Sequence, residues 1–182
     1  MKIDKSWTLF LDRDGVINRE LRNDYVKTWD EFEFEEGAIE AIARLNKIFG
    51  LTVIVTNQRG VGAGIMTEEA LHAIHQKMLE AIAAKGGKID AIYFAPDEDR
   101  SSINRKPHPT MAFKAQSDFP QIDLKKSVII GNSSSDMEFG RNAGMITVYI
   151  DEKQKYNGQK TTLMDYIFDS LNGVDFEFCE AP

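Results

Sequence analysis

The sequence predicts an α/β domain built on a mostly parallel sheet. Two observations carry that prediction: five short apolar runs alternate with helical stripes, and polar residues gather where the runs end. A third bounds it, since 182 residues with 42% hydrophobic content suffice for one well-buried core and not for two comfortable domains. A single domain is therefore expected over 1–182, with its core over about 7–150 and a tail over 151–182.

Thr8 to Asp12 reads as the first strand, a continuous apolar run of the kind that is buried on both faces. Phe32 and Phe34 alternate with Glu31, Glu33 and Glu35, a strand-like pattern suited to packing a flap, and Trp7 and Trp29 are open to core packing or to stacking on a ligand. Ala38, Ile39, Ile42, Leu45 and Phe49 make the first helical stripe, followed by a strand over Leu51 to Thr56. The run Gly60-Val61-Gly62-Ala63-Gly64 resembles a dinucleotide fingerprint, but Ile65 fills the place of the last required glycine and the run follows the second strand, so a flexible lip is the better reading. Thr67 caps a helix whose stripe is Leu71, Ile74, Met78 and Ile82, with Glu68 and Glu69 favourable in its first turn. His72 and His75 flank that stripe; they read as surface or boundary histidines rather than a metal pair, because no third ligand is evident.

Further strands are expected over Ile89 to Phe94, Ser127 to Gly131 and Ile146 to Ile150. Pro109 suits the first position of a helix through Met111, Phe113 and Lys114, and Asp136 to Ala143 reads as another. Thr161 to Leu171 reads as an amphipathic helix that docks on the core or on a partner. In a parallel sheet of this kind a ligand binds beyond the carboxyl ends of the strands.

Composition narrows the partners. A formal charge of -7 and a pI near 5.0 argue against nucleic-acid or anionic-membrane binding, so an anionic ligand needs a local positive site. The one cysteine, Cys179, can make neither an internal disulfide nor a cysteine zinc cage, which suits a reducing compartment. No run has the length or flanks of a signal peptide or membrane span, and a cytoplasmic protein without a membrane partner, monomeric or weakly oligomeric, is expected.

The strand ends carry the chemistry. Asp12-Arg13-Asp14-Gly15 places two carboxylates where a buried strand runs into a turn, the layout of a phosphoryl-transfer nucleophile with an acid/base two residues on. Two close carboxylates repel, which invites a divalent cation. The plain alternative is an Asp-Gly turn with a solvated acid beside it. Thr56-Asn57-Gln58, Arg105-Lys106-Pro107-His108-Pro109 and Gly131-Asn132-Ser133-Ser134-Ser135-Asp136 each have an ordinary loop reading too. Together they supply the hydroxyl, amide donors, cation and acid that a phosphoryl group in flight requires.

These stretches, Phe10 to Asn18, Val55 to Gln58, Arg105 to Pro107 with Pro109, and Asp136-Met137, resemble the motifs of the haloacid dehalogenase superfamily in their order. The resemblance runs from about Trp7 to Ile150 and is strongest to its heptose 1,7-bisphosphate and histidinol-phosphate phosphatases. It implies a three-layer α/β/α Rossmann-like fold with a five- or six-stranded sheet, a small flap and no large cap. It implies a Mg²⁺-dependent phosphomonoesterase of a small phosphorylated metabolite, with Asp12 as nucleophile through an aspartyl-phosphate and Asp14 as general acid and base. By the same resemblance, Thr56 and Lys106 hold the phosphoryl group, and Asn57, Gln58 and Arg105 face the substrate. Mg²⁺ then rests on Asp12, Asp14, Asn132 and Asp136.

Two departures mark this chain. Asn132 stands where the family usually has Asp, which removes a charge from the metal site and leaves Asp136 to carry more of the contact. The stretch from Ala95 to Asn104 has no Cys or His where relatives carry a zinc loop, so structural zinc is not expected and ion pairs of Asp97, Glu98 and Asp99 with Arg100 and Arg105 are the substitute. Two other classes compete with the enzyme: a receiver-type phosphate acceptor, whose Asp belongs at the end of the third strand near Asp97, and a binding protein that has lost turnover.

Overall fold

The first strand lies at the centre of the molecule because every residue in it is apolar or a buried threonine. In a computed structural model that describes residues 2–21 and 24–176, β1 (Thr8–Leu11) has no exposed position. It is flanked by β2 (Leu51–Asn57) and β4 (Ser127–Gly131). With β3 (Ala91–Ala95), β5 (Ile146–Ile150) and β6 (Tyr166–Phe168), these form one sheet in the order β3-β2-β1-β4-β5-β6, all neighbours parallel. The chain builds outward from β1 on one side and then returns to the other, so the crevice between the ends of β1 and β4 is a topological switch point. Register fixes its level: Leu11 aligns with both Ile54 and Ile130, and the Asp12 N–H donates to the Ile130 carbonyl at 2.9 Å.

Helices cover both faces. α1 (Ala38–Leu45) and α3 (Glu68–Ala84) close one core, through Ala41, Ile42, Leu71, Ile74 and Met78. Between them in the chain lies the short α2 (Arg59–Gly62). α4 (Thr110–Asp118) and α5 (Ser134–Ala143) close the other core, through Met111, Ala115 and Phe139. The expected Thr67 cap is present, its hydroxyl accepting from Ala70 N–H at 3.1 Å. α5 starts two residues before the expected Asp136 because Ser133 and Asp136 form a reciprocal capping box.

Three expectations are corrected. The glycine run is not a loose lip: α2 is helical, and Gly62 presses so closely on the loop after β3 that a Cβ there would lie 2.2 Å from the Pro96 carbonyl oxygen. The tail is not an amphipathic helix. Tyr166–Phe168 adds a parallel strand to the open edge of β5, guided by Asp165, which accepts from the Thr147 N–H at 2.9 Å and from Arg141 at 2.7 Å. Backbone hydrogen bonds to a sheet edge outweigh an apolar periodicity that a short helix would also have satisfied. Beyond β6, Leu171, Val174 and Phe176 are buried in the α1 core, and Arg44 donates to the Asn172 carbonyl at 2.7 Å. Residues 177–182, with Cys179, lie outside the described residues.

The third correction concerns the flap. The Phe32 and Phe34 alternation gives a short 3-10 turn over Trp29–Glu31 and a single bridge from Asn18 to Phe34, not a full strand. Trp29 stacks on Phe32 at 5.0 Å and Phe34 meets Phe32 edge-on at 5.0 Å, so these aromatics pack the base of the flap. Arg19 N–H to Glu33 O and Glu35 N–H to Ile17 O tie its two arms at 2.8 and 2.9 Å. No described helix is long and apolar enough to cross a membrane.

α5 packs on the sheet through a glycine: a Cβ at Gly140 would fall 2.4 Å from Ile129 Cγ2 and 2.7 Å from Thr147 Cγ2. Gly140→Ala should therefore destabilise the domain by about 1–3 kcal/mol, the usual penalty for overpacking. Urea unfolding followed by circular dichroism checks this, with an unchanged midpoint as the contrary result.

Candidate active site

A buried lysine sits between two carboxylates at the switch point. Lys106 Nζ lies 2.8 Å from Asp12 Oδ1 and 2.5 Å from Asp136 Oδ1, and donates to the Val55 carbonyl at 2.9 Å. The ammonium thus faces two carboxylate oxygens and one backbone carbonyl. Burial pulls the lysine down, but the two carboxylates outweigh it and hold Lys106 above its ordinary value. Burial, and then the charge of Asp136, push the Asp12 carboxyl upward against the pull of Lys106.

Asp12 is held from one side. Its Oδ1 also accepts from the Arg13 N–H at 2.7 Å, whereas among the described residues no donor reaches Oδ2. Asp136 is hydrogen-bonded through Oδ2, and its buried Oδ1 has no hydrogen-bond partner among the described residues. Oδ2 accepts from Ser133 N–H at 3.0 Å and from its hydroxyl at 2.6 Å, while Oδ1 faces Lys106. Asp136 is fully buried beside Lys106, with which it forms an ion pair, and is part of the N-terminal capping box of α5.

Asp14 sits in a second, paired cluster. Oδ1 accepts from Arg13 Nη2 at 2.8 Å and Asn18 Nδ2 at 3.0 Å, and Oδ2 accepts from Gln58 Nε2 at 2.8 Å. Burial opposes ionisation of Asp14, but the Arg13 charge and these donors outweigh it and keep the carboxyl below the usual range. Gln58 Nε2 also reaches Thr56 Oγ1 at 2.9 Å, so one amide nitrogen bridges Asp14 and Thr56. Gln58 thus positions two site groups and is itself buried. Asn57 lines the cavity beside Asp14 and Gln58, and its amide exchanges hydrogen bonds with the Lys106 backbone, to O at 3.2 Å and from N–H at 3.0 Å, pinning the segment that carries the lysine. Spacing alone gives no signal for Arg13 and His75. Arg13 is fully buried, and Nη1 lies 3.1 Å from Nε2 of His75, which is buried rather than a surface histidine.

Gly15 and Asn132 complete the mouth. Gly15 has φ +78, and a Cβ there would lie 1.8 Å from Asn132 Nδ2, so the absence of a side chain lets the Asn132 amide close over the Asp12–Gly15 turn. Among the described residues no three His, Cys, Asp or Glu converge on a metal position. The Asp12 carboxylate, the Asn132 amide and the Asp14 carbonyl are hard oxygen donors of the kind that Mg²⁺ accepts. Three carboxylates (Asp12, Asp14, Asp136) face two buried cations (Lys106, Arg13), an excess negative charge that a bound cation offsets.

The loop after β3 is shaped mainly by hydrogen bonds. Asp97 Oδ1 accepts from Ser102 Oγ at 2.5 Å and Asn104 Nδ2 at 3.1 Å, and Arg105 Nη1 donates to the carbonyls of Asp97 and Glu98 at 3.2 and 3.3 Å. Of the expected ion pairs with Arg100 and Arg105 none forms among the described residues; Glu98 pairs with Arg59 instead, at 3.3 Å. Asp97 is therefore tied into its loop, not displayed as a receiver-type acceptor.

The chain is similar to known phosphatases. The HAD-hydrolase-like family model matches residues 103–174. A D-glycero-alpha-D-manno-heptose-1,7-bisphosphate 7-phosphatase of Mycobacterium tuberculosis is 35% identical over 166 residues, covering 91% of this chain and 87% of its own. A D-glycero-beta-D-manno-heptose-1,7-bisphosphate 7-phosphatase of Vibrio cholerae is 35% identical over 91% of this chain and 92% of its own. Among solved structures, a D,D-heptose 1,7-bisphosphate phosphatase from B. bronchiseptica, complexed with magnesium and phosphate, superposes with a TM-score of 0.82 at 31% identity, covering 92% of this chain and 94% of its own.

Two outcomes follow from the geometry. Burial, and then the nearby Arg13 charge, push His75 from 6.5 down to about 3. The folded protein refuses a proton that the unfolded chain accepts, so this contribution to stability is complete above pH 6.5 and is lost as pH falls toward 3. In that window the wild type should lose up to about 1.4 kcal/mol more per pH unit than His75→Gln, measured by urea unfolding at each pH. Asp97→Ala should free the loop, raising the rate of tryptic cleavage after Arg100 severalfold while the rest of the chain stays protected.

Proposed function

This chain belongs to the haloacid dehalogenase-like hydrolases and is a phosphatase, and from its site we propose a Mg²⁺-dependent phosphomonoesterase that works through an aspartyl-phosphate on a sugar phosphate, a heptose 1,7-bisphosphate being the leading substrate. The observation that carries the reading is the one-sided grip on Asp12. Lys106 and the Arg13 N–H hold Oδ1, which leaves Oδ2 as the oxygen that attacks phosphorus.

Attack by Asp12 Oδ2 forms the bond to phosphorus as the ester bond breaks, and Asp14 gives the leaving oxygen its proton. Asp14 rests ionised, and an incoming phosphate dianion raises its proton affinity by like-charge repulsion. In the second half Asp14 takes a proton from water, the water oxygen attacks phosphorus, and Asp12 is released as carboxylate. Thr56, whose oxygen already accepts from Gln58, keeps its own hydroxyl proton for a phosphoryl oxygen. Lys106 acts through Asp12, opposing the upward push of burial and Asp136 and aiming the carboxylate. Mg²⁺ held by Asp12, Asn132 and the Asp14 carbonyl would supply charge neutralisation on the phosphoryl oxygens.

A cavity of about 140 Å³ opens beside Asp14 and Gln58, with Glu20, Asp24 and Tyr25 on its flap side. Carboxylates and a phenol there suit the hydroxyls of a sugar. The same acids would also suit the ammonium of histidinol phosphate, which is the second reading.

Phosphate release from purified protein with Mg²⁺ over a panel of heptose bisphosphates, other sugar phosphates, histidinol phosphate, nucleotides and acetyl phosphate tests the proposal. Repeated turnover, highest on a heptose bisphosphate and abolished by Asp12→Asn, is expected. Stoichiometric labelling without turnover contradicts it. Chelation with EDTA should stop turnover and Mg²⁺ restore it, and Asn132→Asp should lower the half-saturating Mg²⁺ concentration severalfold by returning a charge to the site. An unchanged or higher concentration sinks the assignment of Asn132 to the metal.

A further inference from the structure

Among the described residues Arg13 is the largest fully buried side chain, and its Nε has no hydrogen-bond partner. A buried guanidinium with an unmet donor is a poor device for stability, since desolvation offsets much of what its ion pair contributes. Its two remaining nitrogens are both engaged: Nη2 with Asp14 Oδ1 at 2.8 Å and Nη1 with His75 Nε2 at 3.1 Å. Arginine only donates, so His75 Nε2 must accept, which makes the imidazole neutral with its proton on Nδ1. His75 lies on α3, and its ring meets Phe94 of β3 edge-on at 6.3 Å between centroids. The ring is thus a fixed acceptor supplied from the covering helix layer.

We propose that His75 is a positioning residue for the reaction: its Nε2 anchors the Arg13 guanidinium, which in turn fixes the Asp14 carboxylate with Oδ2 toward Gln58. The proposal rests on the reading of Asp14 as the acid/base. Asn18 and Gln58 also grip Asp14, but both are neutral amides, and only Arg13 brings a charge that sets the direction of the carboxylate. Without an acceptor at the far end, one guanidinium edge is left unmet in the interior and the group swings to satisfy it, moving Asp14 with it. A small displacement of an acid/base costs rate rather than affinity.

Glutamine and asparagine separate this role from packing. In His75→Gln the terminal amide reaches the place of imidazole Nε2, whereas in His75→Asn it reaches only the place of Nδ1, and the two side chains are alike in polarity. His75→Gln should keep kcat within about threefold of wild type, and His75→Asn should lower kcat about tenfold or more with KM unchanged. Equal kcat in the two variants, or a change confined to KM, overturns the proposal. Arg13→Lys keeps the charge but cannot bridge His75 and Asp14 at once, and it should show the same loss in kcat. A wild-type kcat for Arg13→Lys overturns the proposal however the His75 variants fold. Asp14→Asn is the separate control: full activity there removes the acid/base reading itself, while an inactive Asp14→Asn beside a wild-type kcat in His75→Asn removes only the role of His75.

Discussion

One buried lysine between two aspartates organises this molecule. Removing Asp12, Asp136 and Lys106 from water is costly, and only their mutual pairing and added hydrogen bonds offset it. Each partner therefore comes with its own support: Asp136 from the cap of α5, Lys106 from the Val55 carbonyl and the Asn57 amide, Asp12 from the next backbone N–H. The supports belong to β1, β2, β4 with α5, and the loop after β3, so meeting the triad's needs fixes how these parts meet. Breaking such a buried pair typically costs about 3–5 kcal/mol, enough to threaten a domain of ordinary stability.

Chemistry follows from the same constraint. Because Lys106 and a backbone N–H hold one oxygen of Asp12, the other is the one left to attack in the proposed reaction. The second cluster, Asp14 with Arg13, Asn18 and Gln58, is kept apart by using its own cation, so the two carboxylates of the turn do not compete for Lys106. The surroundings of the two aspartates differ: burial and the charge of Asp136 push Asp12 upward against the pull of Lys106, whereas Arg13 and its amide neighbours hold Asp14 down.

The sheet is legible in the sequence because its strands are continuous apolar runs, and the strand ends are legible because polar residues interrupt those runs abruptly at Asp12, Thr56 and Asn132. Asp12, Asp14, Thr56, Lys106 and Asn132 do meet at one edge. Less legible is which way each side chain turns. Asn57 and Asp136 belong to the right loops and also engage Lys106, a choice made by partners distant in sequence. The tail misleads because Tyr166 to Phe168 fits both a helical stripe and a strand, and only the free edge of β5 decides. His75 is hidden by its place beside an apolar stripe, where nothing in the spacing reveals that Arg13 waits across the interface.

The central claim, that the Lys106 clamp makes Asp12 the nucleophile, is tested most directly by acid-quenching a single turnover on the best substrate and mapping phosphorylated peptides by mass spectrometry. A phosphoryl group on Asp12 that disappears as phosphate is released, and that fails to accumulate in Lys106→Met, is the result the account requires. Phosphate release with Asp12 unmodified throughout, or a phosphoryl group on another side chain, would contradict it.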